Sequence, residues 1–550
     1  MLVEDRATDK YRRLYRQLKD EISSSWKVTW RELSQYIDPY TGRYLNTDTV
    51  DKDNNGERKD QKILNGVTFE AKRTLAAGLH GGLTSPSRPW FTLGVDDDAL
   101  MELPEVKEWF HAVRSRMLLV LSKSNFYSSV HQLYEELGQY GTGVMLIEED
   151  FNNSIRFRTY TCGEYMLAGG SEYQTPSILF RRFSLTARQV VDIFGLDKVT
   201  VRTKSLYENG KAESRVMVIH AILPVNEGRY KYESVYYELD GGDEDKILRK
   251  SGYDGKPFVA PRWDVNGTDV YGTGPGWQSL GDIKQLQSME QKKLKALDKM
   301  IDPPMNAPTS MKGERVTLIP GTVNYVDSVS GGQGLSPTFL VNPNLQAIRV
   351  EVEAIEERIK RLFYYDLFLS LSSATKRMTA TEVQQRYEEK LMILGPVTER
   401  LEHELLNPVI DRVFEIMLRQ KLIPPPPEAI AGMTMKIGYI SLLAQAQKMV
   451  GSGAIEQLAG FVGNLAAVNP SILDKVDMDE AIDQYGMMLG VPPKVVRSDE
   501  DVDKIRADKA AQMQQQQNIA NATQMAQGAK VLADTKTGEG SALDMILGAQ

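Results

Sequence analysis

Apolar residues recur at spacings of three and four through much of the first 140 residues: Leu14, Leu18 and Ile22, then Val113, Met117, Leu118 and Leu121. That period predicts helices, interrupted by a polar loop over 46–60. From Gly141 the texture changes to short β-rich runs, 144–147, 155–160, 177–183, 216–223 and 230–239, separated by Gly, Asn and Pro turns. One helix, 186–194, is expected among these strands, and together the pattern reads as α+β. A helix predicted over 277–301 stops at Asp302-Pro303-Pro304. At 1.5 Å per residue it is roughly 35 to 40 Å long. Residues 303–343 hold Gly, Pro and short β-prone pieces, 316–319 and 322–326. A second helix begins near Asn344, with Ile348, Val352, Ile355, Ile359 and Leu362 on one narrow stripe. Such a stripe suits helices packed side by side, so a neighbouring copy is expected along it.

Beyond a short segment, 364–378, a longer helix runs over 379–420, its N-cap supplied by Thr379-Ala380-Thr381-Glu382. Gly395-Pro396 and Asn407-Pro408 fall inside it and predict one or two kinks. Pro424 to Pro427 form a stiff linker, 439–489 reads as several short helices, and from Val502 the chain is rich in Ala, Gln and Met. That tail has helical propensity but too little apolar surface to fold alone.

Composition narrows the class. A chain of 550 residues with 41% hydrophobic positions can fill the cores of roughly two to four domains. The single cysteine, Cys162, excludes an intrachain disulfide framework and suits a reducing compartment. The charged N-terminal stretch has no apolar leader and no window approaches a membrane span, so neither export nor membrane insertion is expected. A net charge of -8 argues against a tight, sequence-independent DNA clamp, because such grip comes from neutralising phosphates. It is compatible with a channel, where weak compensated contacts let DNA slide.

The chemical motifs are incomplete. Gly210-Lys211 is followed by Ala212 and Gly255-Lys256 by Pro257, so neither is a phosphate-binding loop. His403-Glu404 opens like a zinc helix, but Asn407 stands where the second histidine belongs. His80-Gly81-Gly82 has no nucleophile elbow to serve, and His111, His131 and His220 show no ligand spacing. Asp51, Asp53, Asn55 and Gly56 resemble the start of a calcium loop whose closing position holds Lys62, a cation. No catalytic, cofactor-binding or metal-ligating residue is assigned, and no cofactor is expected. Lys284, Lys292, Lys293, Lys295 and Lys299 lie on the first mid-chain helix among Asp282, Glu290 and Asp298. In one copy this is a solvated face; in several copies around a pore it becomes a ring that attracts phosphates.

The run from Ala76-Ala77-Gly78-Leu79-His80-Gly81-Gly82 through Leu83-Thr84-Ser85-Pro86-Ser87-Arg88-Pro89-Trp90-Phe91-Thr92-Leu93 resembles a block of the portal, or head-to-tail connector, family of short-tailed bacteriophages. The same resemblance extends to Tyr271-Gly272-x-Gly274 before a helix and to Ala374-Thr375-Lys376-Arg377-Met378-Thr379-Ala380-Thr381-Glu382-Val383, covering roughly residues 5–430. It implies the portal fold: an α+β wing (1–276), a stem hairpin (277–302 and 344–363) around a β-containing clip (303–343), a tunnel loop (364–378), a kinked wing helix with the proline linker (379–428), crown helices (429–501) and a barrel helix or tail (502–550).

The resemblance further implies a ring of about twelve copies at one capsid vertex, through which double-stranded DNA is packaged, retained and ejected. The implied partners are the terminase large subunit, major capsid and scaffolding proteins, tail adaptors and internal core proteins, met in the virion after assembly in the host cytoplasm. Lys284, Lys292, Lys293, Lys295, Lys299, Lys376 and Arg377 are the expected channel-facing cations. Leu367, Phe368, Leu369, Ser370, Leu371 and Thr375 are the expected tunnel-loop residues, with the alternative that the apolar ones, together with Tyr364 and Tyr365, are core. Two rival classes remain: a nuclease using Asp96-Asp97-Asp98 or Asp243-Glu244-Asp245, and another ring or scaffold of the virion.

Overall fold

The structure, a computed structural model, describes residues 8–45, 59–101, 103–150, 152–169, 175–240, 246–306, 336–337, 344–372, 394–440, 460–463, 465, 479, 482 and 499–533. Two units divide the chain, 1–447 and 448–550.

In the first unit α1 (Asp9–Ser24) buries Tyr11, Tyr15, Leu18 and Ile22, the stripe that spacings of four and three place on one face. It is followed by α2 (Trp26–Tyr36), α3 (Val67–Leu83), β1 (Phe91–Gly94), the single turn α4 (Asp98–Met101), α5 (Pro104–Lys123) and α6 (Phe126–Tyr140). These helices share one core in which Leu75, Leu79, Val113, Leu133 and Leu137 are wholly buried.

The β region forms two antiparallel sheets. One has three strands in the order β3 (Ser154–Tyr160), β2 (Val144–Asp150), β9 (Phe258–Val259). The other has five, in sequence order: β4 (Tyr165–Gly169), β5 (Pro176–Thr186), β6 (Arg215–Pro224), β7 (Tyr232–Glu238) and β8 (Ile247–Tyr253). The central strand β6 is buried from Val216 to Leu223 because both of its faces are covered. Ile219, Ala221 and Leu223 join the main core, where Phe180 of β5 meets Tyr15 of α1. Val216 and Val218 face a second, smaller core under α7 (Ala187–Phe194) and α8 (Val201–Glu208). A strand covered twice reads as an unbroken apolar run rather than an alternation, as this one does.

All five β runs expected from the sequence are strands, and the expected helix is α7, whose N-cap Thr186 forms a reciprocal capping box with Gln189. β4, β8, β9 and α8 carry weaker patterns and were not anticipated. Nor was β12 (Lys436–Tyr439), which pairs antiparallel with β1 through Phe91↔Tyr439. Its partner lies more than three hundred residues away, where no local periodicity can announce it.

In the second unit the described residues are chiefly one helix, Asp499–Ala533. Met513, Ile519 and Met525 are exposed along it, and Arg506 pairs with Asp479 through both carboxylate oxygens at 2.6 and 2.9 Å. The helical propensity of the Gln-rich tail is thus expressed over that span; most of 429–501 expected as crown helices, and 534–550, lie outside the described residues.

Candidate functional site

The mid-chain hairpin is rooted where the end of α6 meets the start of α9 (Pro275–Ile301). Pro275 stands at the first helical position, where its missing N–H costs nothing. Gly276 must be glycine, since a Cβ there would sit 2.3 Å from the Gln139 carbonyl oxygen. Trp277 donates its indole N–H to the Tyr140 carbonyl at 2.9 Å and packs edge-on against Trp26. Further along, Gln287 accepts from the backbone N–H groups of Leu64 and Asn65 and donates to the Asn65 carbonyl, which pins the helix to the approach to α3.

The returning helix α10 (Leu345–Leu362) starts at Asn344, whose side chain accepts from the Ala347 N–H at 3.1 Å. Arg358 crosses to Asp282 at 3.2 Å and Asn65 donates to Glu356 at 2.7 Å. Val352, Ile355 and Ile359 are buried against α9 and α3 of the same chain, and Ile348 packs on the edge of that core. This corrects the expectation that the stripe is shared with a neighbouring copy. Its apolar surface is already removed from water inside one subunit, so contacts between subunits must use other faces.

Burial divides the hairpin along its length. Buried residues of α9 end at Gln287, and those of α10 begin at Val352. Beyond that level Leu294, Met300 and Ile301, and on α10 Leu345 and Val350, are exposed. The distal halves therefore stand clear of the core. They continue into the short antiparallel pair β10 (Met305–Asn306) and β11 (Ser336–Pro337). The β-prone pieces at 316–319 and 322–326 lie outside the described residues.

The five lysines of α9 separate by geometry. At about 100° per residue, Lys284, Lys292, Lys295 and Lys299 fall within an arc of about 80°, opposite the face that carries Ile283 and Leu286. Lys284 is held by Glu32 at 2.7 Å, while Lys292, Lys295 and Lys299 are exposed. Lys293 lies on the other side and is neutralised by Glu290 at 2.9 Å.

After the hairpin, α11 (Tyr365–Ser372) is helical where a loop was expected from residue 364 onward. Leu367 and Phe368 are buried, and Leu369 is exposed. The Phe368 ring occupies a notch at Gly78, where a Cβ would come within 2.1 Å of it. Tyr365 adds a hydrogen bond to Glu70 of α3. Ser370 and Leu371 belong to the same helix, and Thr375, Lys376 and Arg377 lie outside the described residues.

From Leu394 the chain is helical again, so Gly395-Pro396 falls in the first described turn. A π-helical turn, Glu402–Leu406, precedes α12 (Asn407–Arg419) and Pro408, widening the helix just before the residue that cannot donate. The same turn aims Glu404 at Arg262, which is 3% exposed and binds both carboxylate oxygens, at 2.7 and 3.1 Å. Arg400 reaches the Trp263 carbonyl at 3.1 Å. Neither pairing was legible in the sequence, where Glu404 drew notice only beside His403. The distance-bridging partner gave no signal of its own.

The remaining motifs resolve into structure. Lys62, at the closing position of the calcium-like loop, donates to Gln35, and residues 51–58 lie outside the described residues. Asp97 caps α4 through the Ala99 N–H, and Asp96 forms an exposed ion pair with Lys436 at 3.3 Å. Residues 241–245, which hold the other cluster, lie outside the described residues. Among the described residues no group of three or more His, Cys, Asp or Glu is arranged to hold a metal ion, and no helix is long and apolar enough to cross a membrane.

Fold and site together define an α+β protein whose body carries a two-helix hairpin with Lys292, Lys295 and Lys299 exposed on one face. The chain belongs to the family of bacteriophage head to tail connecting proteins, whose model matches residues 8–496. It is 43% identical over 543 residues to the portal protein of Salmonella phage epsilon15, covering 97% of this chain and 96% of that one. It is 38% identical over 536 residues to the probable portal protein of Bordetella phage BPP-1, covering 96% and 95%. Among solved structures, the neck of an empty gene transfer agent particle aligns with 78% of this chain and 91% of that one, at 12% identity and a TM-score of 0.36, too distant to bear on the argument.

Proposed function

We propose that the protein assembles into a ring of about twelve copies at one capsid vertex and forms the channel through which double-stranded DNA is packaged, held and ejected. The observation that carries this reading is the hairpin: helices rooted in the body by Gly276 and Gln287, with distal halves clear of the core and Lys292, Lys295 and Lys299 exposed on one arc that also carries Lys284, which Glu32 holds. Repeated around an axis, that arc lines an opening with spaced cations that attract phosphates weakly enough for DNA to move. Lys376 and Arg377 belong to the same proposed lining. Lys293, paired with Glu290 on the far side, contributes little to it.

In this reading 1–276 and 379–428 form the wing, 277–302 and 344–363 the stem, 303–343 the clip, 364–378 the tunnel segment, 429–501 the crown, apart from β12, which pairs with β1 of the wing, and 502–550 a barrel helix or tail. With Leu367 and Phe368 turned into the subunit, Leu369 is the described apolar residue of the tunnel segment able to face DNA. The ring has no chemistry of its own: it is a passive conduit and a platform. Terminase large subunit docks on it during packaging, major capsid and scaffolding proteins surround it during assembly in the host cytoplasm, and tail adaptors and internal core proteins join it in the virion.

Electron microscopy of the purified chain tests the proposal. Annular particles of about twelve copies, with a hole wide enough for B-form DNA, are expected. A monomer at every concentration and salt condition would overturn it.

A further inference from the structure

Four Asn-Gly pairs occur in the chain, at residues 55–56, 65–66, 209–210 and 266–267, and the last three lie among the described residues. In such a pair the backbone nitrogen of glycine can reach the side-chain amide carbon of the asparagine before it, because no Cβ stands in the way. The fold treats the three asparagines differently. Asn65 is held at both ends of its amide: Oδ1 accepts from the Val67 N–H at 3.0 Å and Nδ2 donates to Glu356 at 2.7 Å. Asn209, which ends α8, donates from Nδ2 to the Ser205 hydroxyl at 2.9 Å. Asn266 is exposed, and its side chain has no partner among the described residues. Gly267 follows in the left-handed region at φ +57°, at the first corner of a turn that the Asp269 N–H closes on the Asn266 carbonyl at 3.2 Å. The space beside Gly267 is open, since a Cβ there would meet nothing within 4 Å.

We propose that Asn266 is a site of spontaneous modification, converting to aspartate and isoaspartate ahead of Asn65 and Asn209. The Gly267 nitrogen bonds to Cγ of Asn266 and the Cγ–Nδ2 bond breaks, the proton of the Gly267 N–H leaving with Nδ2 as ammonia. Water then opens the cyclic imide at one carbonyl or the other, leaving aspartate or, with the main chain routed through the side chain, isoaspartate. Neither step needs a co-reactant besides water. A free side chain visits the attacking geometry, whereas one tied by hydrogen bonds must first give them up. Either product places a new carboxylate in the stretch from Asp264 to Asp269, in the loop that leads to the root of the hairpin. The ends of that loop are pinned by the paired backbones of Asp264 and Thr273, at 2.8 and 3.0 Å, and by Arg262 on the Asp269 carbonyl at 2.9 Å. The chain therefore gains charge while keeping its fold.

Incubation of the full chain at mildly alkaline pH, followed by peptide mapping with mass spectrometry, tests this. The peptide that holds Asn266 should gain the mass of a hydroxyl in place of an amino group and split into aspartate and isoaspartate forms, while those that hold Asn65 and Asn209 lag behind. Ser205→Ala, at an exposed position on α8, frees the Asn209 amide. It should quicken conversion there about two- to tenfold, the worth of one neutral hydrogen bond. In urea, where no fold protects them, the three should convert at similar rates. Conversion of Asn65 or Asn209 at the pace of Asn266 in the folded chain, an unchanged rate at Asn209 in the Ser205→Ala variant, or persistence of the folded ranking in urea would each overturn the proposal.

Discussion

Glu136 shows what a single buried residue can impose. Its carboxylate accepts from the Thr161 hydroxyl at 2.7 Å and from the Cys162 N–H at 2.9 Å, inside a body that excludes water. Burial pushes its pKa up to about 7, against the pull of those hydrogen bonds and of Lys72. Because the folded form holds the proton more tightly than the unfolded chain, stability falls as pH rises from the ordinary carboxylate range to about 7 and stays lower above it. Glu136→Gln keeps the shape, so its unfolding free energy should vary less over that window. Above pH 7 the variant should gain up to a few kcal/mol relative to the parent, as read from urea midpoints at a series of pH values. The sequence shows Glu136 only as one of two adjacent acids on a helix; its burial follows from Thr161 and Cys162 closing over it from a strand end.

The elements most relevant to function are joined by small fits rather than by large patterns. α11 docks on α3 because Gly78 leaves room for the Phe368 ring. Gly78→Ala should therefore cost about 1 to 3 kcal/mol, the usual penalty of overpacking. In a Phe368→Ala background the same change should cost much less, and a double-mutant cycle by thermal or urea unfolding reads the difference; equal costs in both backgrounds would rule out the notch as the cause. The glycine was visible within the resembling block, yet nothing local identified the aromatic ring, almost three hundred residues later, that needs it. The π turn at Glu402–Leu406 is a similar case. Pro408 announced a disturbance, but nothing local indicated that the turn before it would carry Glu404 to the buried Arg262.

For the whole molecule the hairpin matters most, and its lysines give the test. Replacing Lys292, Lys295 and Lys299 with Gln should leave the fold of the subunit intact, since the three are exposed and outside the core face. DNA association with the assembled protein should lose salt dependence, the log–log slope falling by about 1 for each lysine that had met a phosphate. An unchanged slope would place the channel lining elsewhere. The burial of Val352, Ile355 and Ile359 within one chain also bears on assembly. Subunit contacts are then left to faces exposed in the single chain, which on the hairpin include Leu294, Ile301 and Val350 as well as charged residues.

Much was legible because it is local. The period-four stripes of α1 and α10, the apolar run of β6, the capping box of α7 and the proline bounds of α9 each express short-range sterics and one-sided burial, which a window of residues contains in full. The α+β class and the hairpin followed from them. What the fold alone decided depends on residues far apart in the chain meeting at a few ångströms: Phe91 with Tyr439, Gly78 with Phe368, Arg262 with Glu404. An apolar stripe states that a face must be covered, and Ile355 and Ile359 did so; that α9 and α3 of the same chain would cover it, rather than a second copy, is a matter of three-dimensional packing that periodicity does not encode.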